Sequence, residues 1–459
     1  HNPLYTAAEL QPQFEDHGAR VAIVFDRVAD TFASLSKSTQ LETVVAVNML
    51  EETPLHLRAA LSLPIPPVTK LRAELTQPAP GAMPWREFIR QRSHSVHFPQ
   101  ITQDDTAFIL YTSGTSGKPK GAPLTHGNIV SVLKAGMEWL EDWGAVREKV
   151  LGVLPMFHIY GLALNYALPL SIGAEMVLVP APKPKLYQAA ITKTRPTVLP
   201  GVPTLYDKII EWAVESNADL SSIHTSISGA STLPVETIER WENATGGRLI
   251  EGYGLTETAP ILAGNPLDGT RRPGYIGLPF PNTEIRIADP QDPSRTMPDG
   301  EPGELLARGP QVFSGYLNSP EANERAFHDG WFRTGDMAVM ENDGWIKLVA
   351  RIKEMIITGG FNVYPDEVEG VMRNHPDIED IAVVGRPRED GSEDVVACIT
   401  LIDGSALDPD GLKAYARQRL TRYKVPRDFY HFDQLNRDQT GKIRRREVRD
   451  TLLQLLTQP

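Results

Sequence analysis

A loop rich in glycine, hydroxyl residues and lysine occupies residues 111–122, "YTSGTSGKPKGA". Glycine lets the backbone approach a ligand closely, and hydroxyl, amide and ammonium groups suit an anion, so the loop predicts a phosphate site. It does not match the nucleotide-binding pattern G-x-x-x-x-G-K-[ST], because Gly114 and Gly117 are separated by two residues and Lys118 precedes Pro119. A flexible Gly/Ser linker is the alternative interpretation.

Two elements are predicted to hold this loop in place. The apolar run "AFIL" at residues 107–110 is typical of a buried strand that leads into the loop. The proline at position 119 keeps Lys118 out of the helical region, so no helix is expected to begin there. Thr125 is a candidate N-cap for a helix over residues 126–139. A strand before the loop and a helix after it favour a binding loop over a linker.

Composition limits the classes of protein that fit the chain. Its 459 residues predict two or more domains, and 41% hydrophobic and 23% charged residues are typical of a soluble globular protein. The formal net charge of −12 disfavours nucleic-acid binding, which depends on Lys and Arg. No apolar run approaches the roughly 20 residues of a membrane span, and no export signal opens the chain. A cytoplasmic location is therefore expected.

Two further features have simple structural interpretations. The single cysteine, Cys398, excludes an internal disulfide and a multi-cysteine metal site, and its apolar surroundings predict a core residue rather than a nucleophile. The basic stretch "GKIRRREVR" at residues 441–449 is a local cationic patch in an acidic protein. Within it, residues 444–446 are predicted to form a solvated helix face.

The chain changes character along its length. Apolar strand-like runs alternate with helical patterns in the first part, which predicts an α/β fold with largely parallel sheets. The proline-rich residues 63–84 are expected to form an irregular surface connection. After residue 274, short strands with frequent turns predict a small antiparallel or barrel-like subdomain. A new α/β pattern begins at Tyr364, with Pro365 suited to the first position of a helix.

Seven motifs carry a resemblance to a known family. In chain order they are "YTSGTSGKPKGA", "LPMFHIYGL", "EGYGLTETAP", "GYIGLPFPNTE", "GWFRTGD", "ARIKEMIITGGFNVYPDEVE" and "TGKIRRR". With these motifs the chain resembles the adenylate-forming enzymes, most closely the bacterial long-chain fatty acid CoA ligases. The opening "HNPLYTAAEL" is similar to a segment well inside the first domain of such ligases. Part of the N-terminal subdomain is therefore expected to be absent.

The resemblance implies an α/β fold with a large N-terminal region of stacked sheets and helices and a small barrel-like β subdomain. A small mobile α+β C-terminal domain completes it. The expected boundaries are residues 1–350 for the N-terminally incomplete N-terminal domain, with 274–350 as its β-rich subdomain, and residues 351–459 for the C-terminal domain.

The resemblance also implies a reaction in two steps. A fatty acid, of medium to long chain, and ATP form an acyl-adenylate and pyrophosphate, and the thiol of CoA then displaces AMP. Mg²⁺ is the implied cofactor, with ATP and CoA as cosubstrates. No nucleic acid and no transmembrane segment are expected, while a homodimer and a peripheral membrane contact stay open. The implied setting is fatty acid metabolism.

Three alternatives remain open at this level. A fatty acyl-AMP ligase would pass the acyl group to a carrier protein, although the insertion typical of such enzymes is not seen before Lys353. An aryl-CoA ligase is the second, because the nucleotide motifs do not report the acid. A non-catalytic acyl- or nucleotide-binding protein is the third.

The implied site residues fall into five groups. The ATP/AMP site comprises Thr112, Ser113, Gly114, Thr115, Ser116, Gly117, Lys118, Lys120, Gly229, Ala230, Gly252, Tyr253, Gly254, Thr256, Asp336, Arg351 and Lys442. The acyl pocket comprises Met156, His158, Tyr160, Gly161, Leu162 and Ser228. The CoA channel and hinge comprise Lys353, Gly359 and Gly360, and the metal ligands are Thr115 and Glu257. The catalytic residues are Lys442, His158, Thr256 and Glu257.

Specific roles follow from the same resemblance. Tyr253 would stack on adenine, and Asp336 would accept hydrogen bonds from both ribose hydroxyls, which suits a carboxylate with two oxygens. Thr256 would contact the α-phosphate, and His158 would lie at the mouth of the acyl pocket. Lys442 would bridge the fatty acid carboxylate and the α-phosphate, because one ammonium group can bind two anions that repel each other.

Overall fold

The computed structural model describes residues 1–51, 53–91, 98–112, 119–140, 147–352, 354–358, 361–388, 393–438 and 441–457. The chain forms two compact units. The first comprises His1–Gly127 and Phe313–Asn323, and the second comprises Asn128–Val312 and Glu324–Pro459. Within the described ranges, no helix has the length and apolar character needed to cross a membrane. The predicted domain boundary at residues 350 and 351 stays a prediction.

The first unit contains a parallel sheet covered by short helices. Its helices are α1 (Ala7–His17), α2 (Ala29–Leu35), α3 (Leu55–Leu61), α4 (Pro66–Leu75) and α5 (Trp85–Phe88). Its strands are β1 (Val21–Phe25), β2 (Thr43–Val47), β3 (Met83–Pro84), β4 (Thr106–Thr112) and β5 (Lys120–Thr125). Strands β1, β2 and β3 pair in parallel. Helix α1 begins with a capping box between Thr6 and Glu9, and it buries Leu10 and Phe14 against the sheet.

Helix α4 corrects the expectation of an irregular connection over residues 63–84. Pro66 and Pro67 occupy its first turn, where a missing amide hydrogen costs little, so the prolines begin a helix instead of preventing one. No residue of α4 is buried. The surface position was predicted correctly, and the absence of secondary structure was wrong.

The glycine-rich loop lies between strands β4 and β5, which pair antiparallel as a hairpin. Strand β4 is half-buried rather than buried as predicted, because its sheet has two strands in the described part of the chain. The predicted helix over residues 126–139 is confirmed as α6 (His126–Trp139), which follows β5 directly. The loop is therefore bounded by two paired strands, and the helix comes after the second of them.

A seven-stranded sheet is the centre of the second unit. Besides α6, the helices around it are α7 (Ile159–Leu162), α8 (Leu168–Ile172), α9 (Pro184–Thr194), α10 (Pro203–Ser216) and α11 (Val235–Thr245). Its strands are β6 (Lys149–Gly152), β7 (Glu175–Leu178), β8 (Val198–Gly201), β9 (Thr225–Ser228), β10 (Arg248–Tyr253), β11 (Ala263–Gly264) and β12 (Leu278–Pro279). The order is β12-β11-β10-β9-β8-β6-β7, and all pairs are parallel except those of β11. The prediction of a largely parallel α/β sheet is confirmed.

A smaller antiparallel sheet follows, as predicted for residues after 274, and curls into a half-barrel. Its strands are β13 (Glu284–Ala288), β14 (Gly303–Arg308), β15 (Phe327–His328), β16 (Trp331–Met340) and β17 (Ile346–Arg351), and α12 (Pro320–Ala326) precedes β15. Its inner face packs Ile287, Leu305 and Ile346 with Tyr253 of β10.

The last part of the chain is α+β. Its helices are α13 (Pro365–Met372), α14 (Pro409–Arg417) and α15 (Arg445–Thr457). Its strands are β18 (Ile356–Thr358), β19 (Phe361–Val363), β20 (Ile378–Pro387), β21 (Glu393–Leu401) and β22 (Asp428–His431). Pro365 stands at the first position of α13, as predicted. Cys398 of β21 is fully buried, and burial raises the pKa of its thiol to about 12, so the prediction of a core cysteine is confirmed.

Candidate active site

The carboxylate of Asp336 is the centre of a buried polar cluster in the second unit. Asp336 of β16 lies opposite Arg351 of β17 in the antiparallel register. The Arg351 Nε is 3.0 Å from Asp336 Oδ1, and the Tyr253 hydroxyl donates to Asp336 Oδ2 at 2.6 Å. Because Asp336 is only 4% exposed, each of its two oxygens faces a donor in a water-poor setting. Three of the predicted nucleotide residues are thus in direct contact.

Electrostatic interactions link this cluster to Glu257, a predicted site residue, and to Glu354, which was not predicted. The Asp336 carboxylate raises the pKa of Arg351, and Glu354 and Glu257 act in the same direction. Burial, followed by the charge of Asp336, raises the pKa of Tyr253, so this phenol stays protonated and donates its hydrogen bond. The cluster therefore combines fixed positive and negative charges.

Lys442 belongs to a tight turn that is closed by Asp438. The Lys442 amide donates to Asp438 Oδ1 at 3.0 Å, and the Asp438 amide donates to the Lys442 carbonyl at 2.8 Å. Gly441 has φ +85°, which disfavours any residue with a side chain, and an added Cβ would lie 3.1 Å from the Thr204 hydroxyl at the start of α10. The turn that carries Lys442 therefore lies against the start of α10 in the second unit.

The ammonium group of Lys442 lies within the field of the Asp336 cluster. Burial lowers its pKa, Arg351 lowers it further, and the carboxylates of Glu354 and Asp336 raise it. In the described part of the chain, no carboxylate pairs with this ammonium at salt-bridge distance. A partly buried cation without a protein counter-ion favours an anionic ligand.

Glu257 lies in a short 3₁₀ turn, Thr256–Thr258, that follows β10. It is 7% exposed, so little water reaches its carboxylate. The preceding Gly254 allows a close backbone approach: a Cβ there would come within 1.6 Å of the Pro260 carbonyl oxygen. Glycine at this position is therefore required by packing, and it fixes the turn that carries Thr256 and Glu257.

The predicted turn "SGAS" stands at the carboxyl end of β9. Ser228 is fully buried, and its Oγ has no hydrogen-bond partner within the described residues. Ala230 has φ +68°, a strained value for a residue with a side chain. An unsatisfied buried hydroxyl beside a strained backbone is typical of a ligand-binding turn. The ring of Tyr160 packs 3.2 Å from the Cβ position of Gly229.

His158 caps the short helix α7, and its Nδ1 accepts from the Tyr160 amide at 3.3 Å. Burial lowers the pKa of His158, while the negative charge of Asp438 acts in the opposite direction. A neutral imidazole is favoured by the first effect. The hydroxyl of Tyr160 lies 2.6 Å from the Ile227 carbonyl oxygen, so this side chain is anchored to β9.

An apolar cavity of about 510 Å³, counting the space open to solvent, lies between α6 and the sheet. Leu164 and Leu168, from the segment after the predicted acyl residues, line it together with Ile227 of β9. Met156, His158, Tyr160, Gly161 and Leu162 do not line it, and Ser228 adjoins the lining residue Ile227. Trp139 and Phe280 stack at one side with ring centroids 4.6 Å apart.

Some of the predicted site residues belong to the first unit, and others lie outside the residues that the structure describes. Thr112 and Lys120 are paired residues of the β4–β5 hairpin, and the Lys120 ammonium lies 4.1 Å from the centre of the Tyr316 ring. Residues 113–118, Lys353, Gly359 and Gly360 lie outside the described residues. The predictions on the phosphate loop and the CoA channel therefore stay predictions.

Comparison with known proteins identifies the family. Residues 1–317 match the model of the AMP-binding enzyme, and residues 367–442 match that of the AMP-binding enzyme C-terminal domain. This chain belongs to the family of AMP-binding, adenylate-forming enzymes. The family predicted from the seven motifs is confirmed.

Named relatives of this AMP-binding enzyme include ligases for different acids. It is 36% identical over 451 residues to a long-chain-fatty-acid–CoA ligase of Bacillus subtilis, covering 97% of this chain and 80% of the relative. It is 38% identical over 351 residues to a feruloyl-CoA synthase of Amycolatopsis, covering 75% and 70%. The structure of ATP-bound MatB from Rhodopseudomonas palustris aligns with a TM-score of 0.81 at 27% identity, covering 99% of this chain and 83% of that one.

Arg445 of this AMP-binding enzyme corrects the expectation of a solvated helix face over residues 444–446. Its side chain is 11% exposed and pairs with Glu369, Glu354 and Asp366. Arg444 and Arg446 are exposed as predicted. Arg445 shares one face of α15 with the buried Val448 and Leu452, at spacings of three and seven residues. That apolar periodicity is the sequence signal from which the burial of Arg445 could have been predicted.

Glu251, two residues before Tyr253, provides a test of how burial sets charge near the site. Burial raises its pKa from 4.5 to about 8, while the Leu233 amide donates to Oε1 at 3.3 Å. Since the folded-state pKa lies above the unfolded value, the stability that protonation contributes is complete below pH 4.5 and is lost as the pH rises to about 8. Glu251→Gln removes this loss, and we expect it to raise the free energy of unfolding at pH 9 by roughly 3–5 kcal/mol.

Urea unfolding of parent and variant at several pH values checks this expectation. The two free energies of unfolding should converge near pH 4, where the parent carboxyl is also neutral. Glu239→Gln, an exposed change on α11, is the control and should follow the parent at every pH. Parallel curves for the parent and Glu251→Gln would contradict the burial argument.

Proposed function

We propose that this AMP-binding enzyme ligates a fatty acid of medium to long chain to CoA, using ATP and Mg²⁺. In the first step a carboxylate oxygen bonds to the α-phosphorus of ATP, and the bond to pyrophosphate breaks. In the second step the thiolate sulfur of CoA bonds to the acyl carbon, and AMP leaves with the electron pair of the broken bond. Each step is an exchange of one bond for another, so no redox partner is needed.

The apolar cavity between α6 and the sheet is the observation that carries the fatty acid assignment. Its side chains offer hydrocarbon contact, and burial of a methylene stabilises binding by about 0.8 kcal/mol. The names of the relatives at 36% identity support the same acid class.

Different side chains of this enzyme would have different roles in the first step. Lys442 would bind the carboxylate and the α-phosphate together, and Arg351 would hold Asp336 in place for the ribose. Thr256 would donate to the α-phosphate, and neutral His158 would orient the carboxylate at the mouth of the acyl pocket. Electrostatic stabilisation and alignment, rather than proton transfer, would then supply most of the rate enhancement.

A magnesium site fits the residues present. Glu257 is a buried carboxylate next to the predicted α-phosphate contact, and Mg²⁺ prefers one or two carboxylates together with waters and substrate phosphates. Glu257 and Thr115 would hold the ion. When bound, the ion would neutralise part of the triphosphate charge.

Gly136 of α6 tests the assignment of the cavity. Gly136 is buried and lines the cavity, and a Cβ added to it would meet no atom within 4 Å, so the missing side chain contributes to the open space. Gly136→Leu should exclude about four methylenes from the cavity, which corresponds to about 3 kcal/mol. We expect kcat/KM for palmitate to fall about 10²-fold, while that for hexanoate changes little.

The measurement is a series of acids from acetate to oleate, with pyrophosphate release followed for each. Gly370→Leu is the matched control, because Gly370 lies in helix α13 with open space at its Cβ but is exposed to solvent. A uniform loss for all acids would argue against the cavity as the acyl site.

An aryl-CoA ligase is the second candidate, favoured by the feruloyl-CoA synthase and by a structural relative, an anthranilate CoA ligase with a TM-score of 0.79 and 25% identity. Higher kcat/KM for ferulate or benzoate than for any fatty acid would support it. Acyl-AMP without thioester would support a carrier-type ligase, and a folded protein that releases no pyrophosphate with any acid would support a binding protein.

A further inference from the structure

Arg445 sits at the centre of a buried ion network in the last part of the chain. Its Nε and Nη2 each lie 2.8 Å from an oxygen of Glu369, a two-pronged pair with a side chain that is 0% exposed. Nη1 binds the Glu354 carboxylate, and Nη2 also binds Asp366. All three nitrogens of the guanidinium group are therefore used, a geometry that lysine does not reproduce.

Glu369 anchors this network to the core. The Val383 amide of β20 donates to its Oε1 at 2.8 Å, and Arg373 approaches its Oε2 at 3.0 Å. A carboxylate with four such partners has its charge compensated despite full burial. Arg445 is thus held in a fixed position relative to α13 and β20.

The network connects at one end to the nucleotide cluster. Glu354 follows β17, and its amide donates to the Arg351 carbonyl oxygen at 3.0 Å. Arg351 in turn pairs with Asp336. At the other end, Arg445 begins α15 three residues after Lys442. One side chain therefore joins the strand that carries Arg351 to the segment that carries Lys442.

Glu354 is also a potential competitor for Lys442. Its amide bonds to the Arg351 carbonyl, its carboxylate contacts the side chain of Arg445 three residues after Lys442, and its charge acts on both Lys442 and Arg351. In the present arrangement its carboxylate binds Arg445, and within the described ranges Lys442 has no carboxylate partner at salt-bridge distance. A carboxylate released by Arg445 would be free to pair with Lys442, and that pairing would compete with substrate for the ammonium.

We propose that Arg445 is a positioning residue for adenylate formation, fixing the Lys442 segment and holding Glu354 away from the Lys442 ammonium. The inference rests on the proposed function, since it needs Lys442 to act in the first step. It assigns to this position a task distinct from binding substrate, because Arg445 contacts protein carboxylates on every side.

The test measures the two steps separately in Arg445→Gln, with the exposed neighbour Arg446→Gln as the matched control. Pyrophosphate release should fall about 10²-fold in Arg445→Gln, because misplacement of a catalytic group by about 1 Å has an effect of that size. Thioester formation from supplied acyl-adenylate and CoA should stay near the parental rate. Arg446→Gln should match the parent in both steps.

Removal of the competing Glu354 carboxylate adds a second measurement. If Arg445 only stabilised the fold, this removal would not restore the rate of the first step. Glu354→Gln introduced into Arg445→Gln should restore pyrophosphate release by about tenfold, the size of coupling found between contacting residues. If Arg445→Gln does not fold, Arg445→Lys makes the same comparison, since it keeps a charge for Glu369 but lacks the donor that reaches Glu354. Melting temperatures are measured for every variant.

Three results would overturn the inference. Equal losses in both steps that follow the melting temperature would make Arg445 structural. Absence of any recovery with Glu354→Gln would remove the competitor argument. If the parent is active and the Arg445 variants have the same rates as Arg446→Gln, this inference alone is overturned. A parent that releases no pyrophosphate with any acid would overturn both the proposed function and this inference.

Discussion

Lys442→Ala should lower acyl-adenylate formation by about 10²–10³-fold and leave most of the thioester-forming activity, the largest selective effect expected for this enzyme. The partly buried ammonium lies in the field of Asp336 and Arg351, on a turn held by Asp438 and Gly441. Alanine removes the one cation proposed to bind both anions of the first step. We propose that the C-terminal domain, whose predicted hinge is Lys353, rotates between the two steps, so the second step would not need Lys442.

The measurement separates the two half-reactions. Pyrophosphate release with ATP and fatty acid reports the first, and thioester formation from supplied acyl-adenylate and CoA reports the second. Lys413→Ala, a lysine change on α14 of the same region, is the control and should leave both rates near the parental values. Loss in both steps to the same extent, or in neither, would contradict the role of Lys442.

The pH dependence of the first step supplies a further check on Lys442. Burial lowers the pKa of this ammonium from its ordinary value of 10.5, so the charge that binds the anions is lost at lower pH than for an exposed lysine. Adenylate formation by the parent should decline on the alkaline side below pH 10.5. The residual rate of Lys442→Ala should lack that decline, because the titrating group is absent.

Local signals in the sequence predicted most of the fold. Alternating apolar runs and helical patterns predicted the parallel sheet, and Pro365 predicted the first position of α13. These predictions succeed because strand character and helix initiation depend on nearby residues. The α4 error arose because the proline-rich residues 63–84 were expected to be irregular, although the first turn of a helix tolerates proline.

The sequence predicted which residues belong to the site but not which of them contact each other. Motif order pointed to Tyr253, Asp336 and Arg351, whereas their direct bonding depends on the register between β16 and β17 and on the end of β10. The hydrogen bond from Tyr253 to Asp336 joins two residues that are 83 positions apart in the chain, so no local sequence pattern indicates it. The roles assigned to these residues on nucleotide stay proposals.

Arg445 and Gly136 were not predicted, for different physical reasons. A run of three arginines is usually solvated, and only the spacing to Val448 and Leu452 indicates that the middle one faces the core. Gly136 falls on the buried face of α6 with Ile129 and Val132, but a cavity depends on the residues that pack around it. Absent atoms leave no signal of their own in the sequence.

Glu257→Gln is the second substitution with a large expected effect. We expect it to slow the first step because it weakens the binding of Mg²⁺. Glutamine keeps the size and shape of Glu257 but replaces a charged oxygen ligand with a neutral one, and Mg²⁺ is a hard cation that prefers carboxylates. In a buried site, where Glu257 is 7% exposed, water replaces that charge poorly. We expect pyrophosphate release at limiting Mg²⁺ to fall about 10²-fold, with part of the loss recovered at high Mg²⁺.

A titration of the first step with Mg²⁺ at fixed ATP and fatty acid tests this expectation, and Glu239→Gln on the exposed face of α11 is the control. The apparent affinity for Mg²⁺ should weaken in Glu257→Gln and stay at the parental value in the control. A reduced rate with unchanged Mg²⁺ dependence would instead place Glu257 among the charges that orient Arg351, whose pKa it helps to raise. The parental rate at limiting Mg²⁺ would remove Glu257 from the site altogether, since a buried carboxylate at the end of β10 would then serve folding alone.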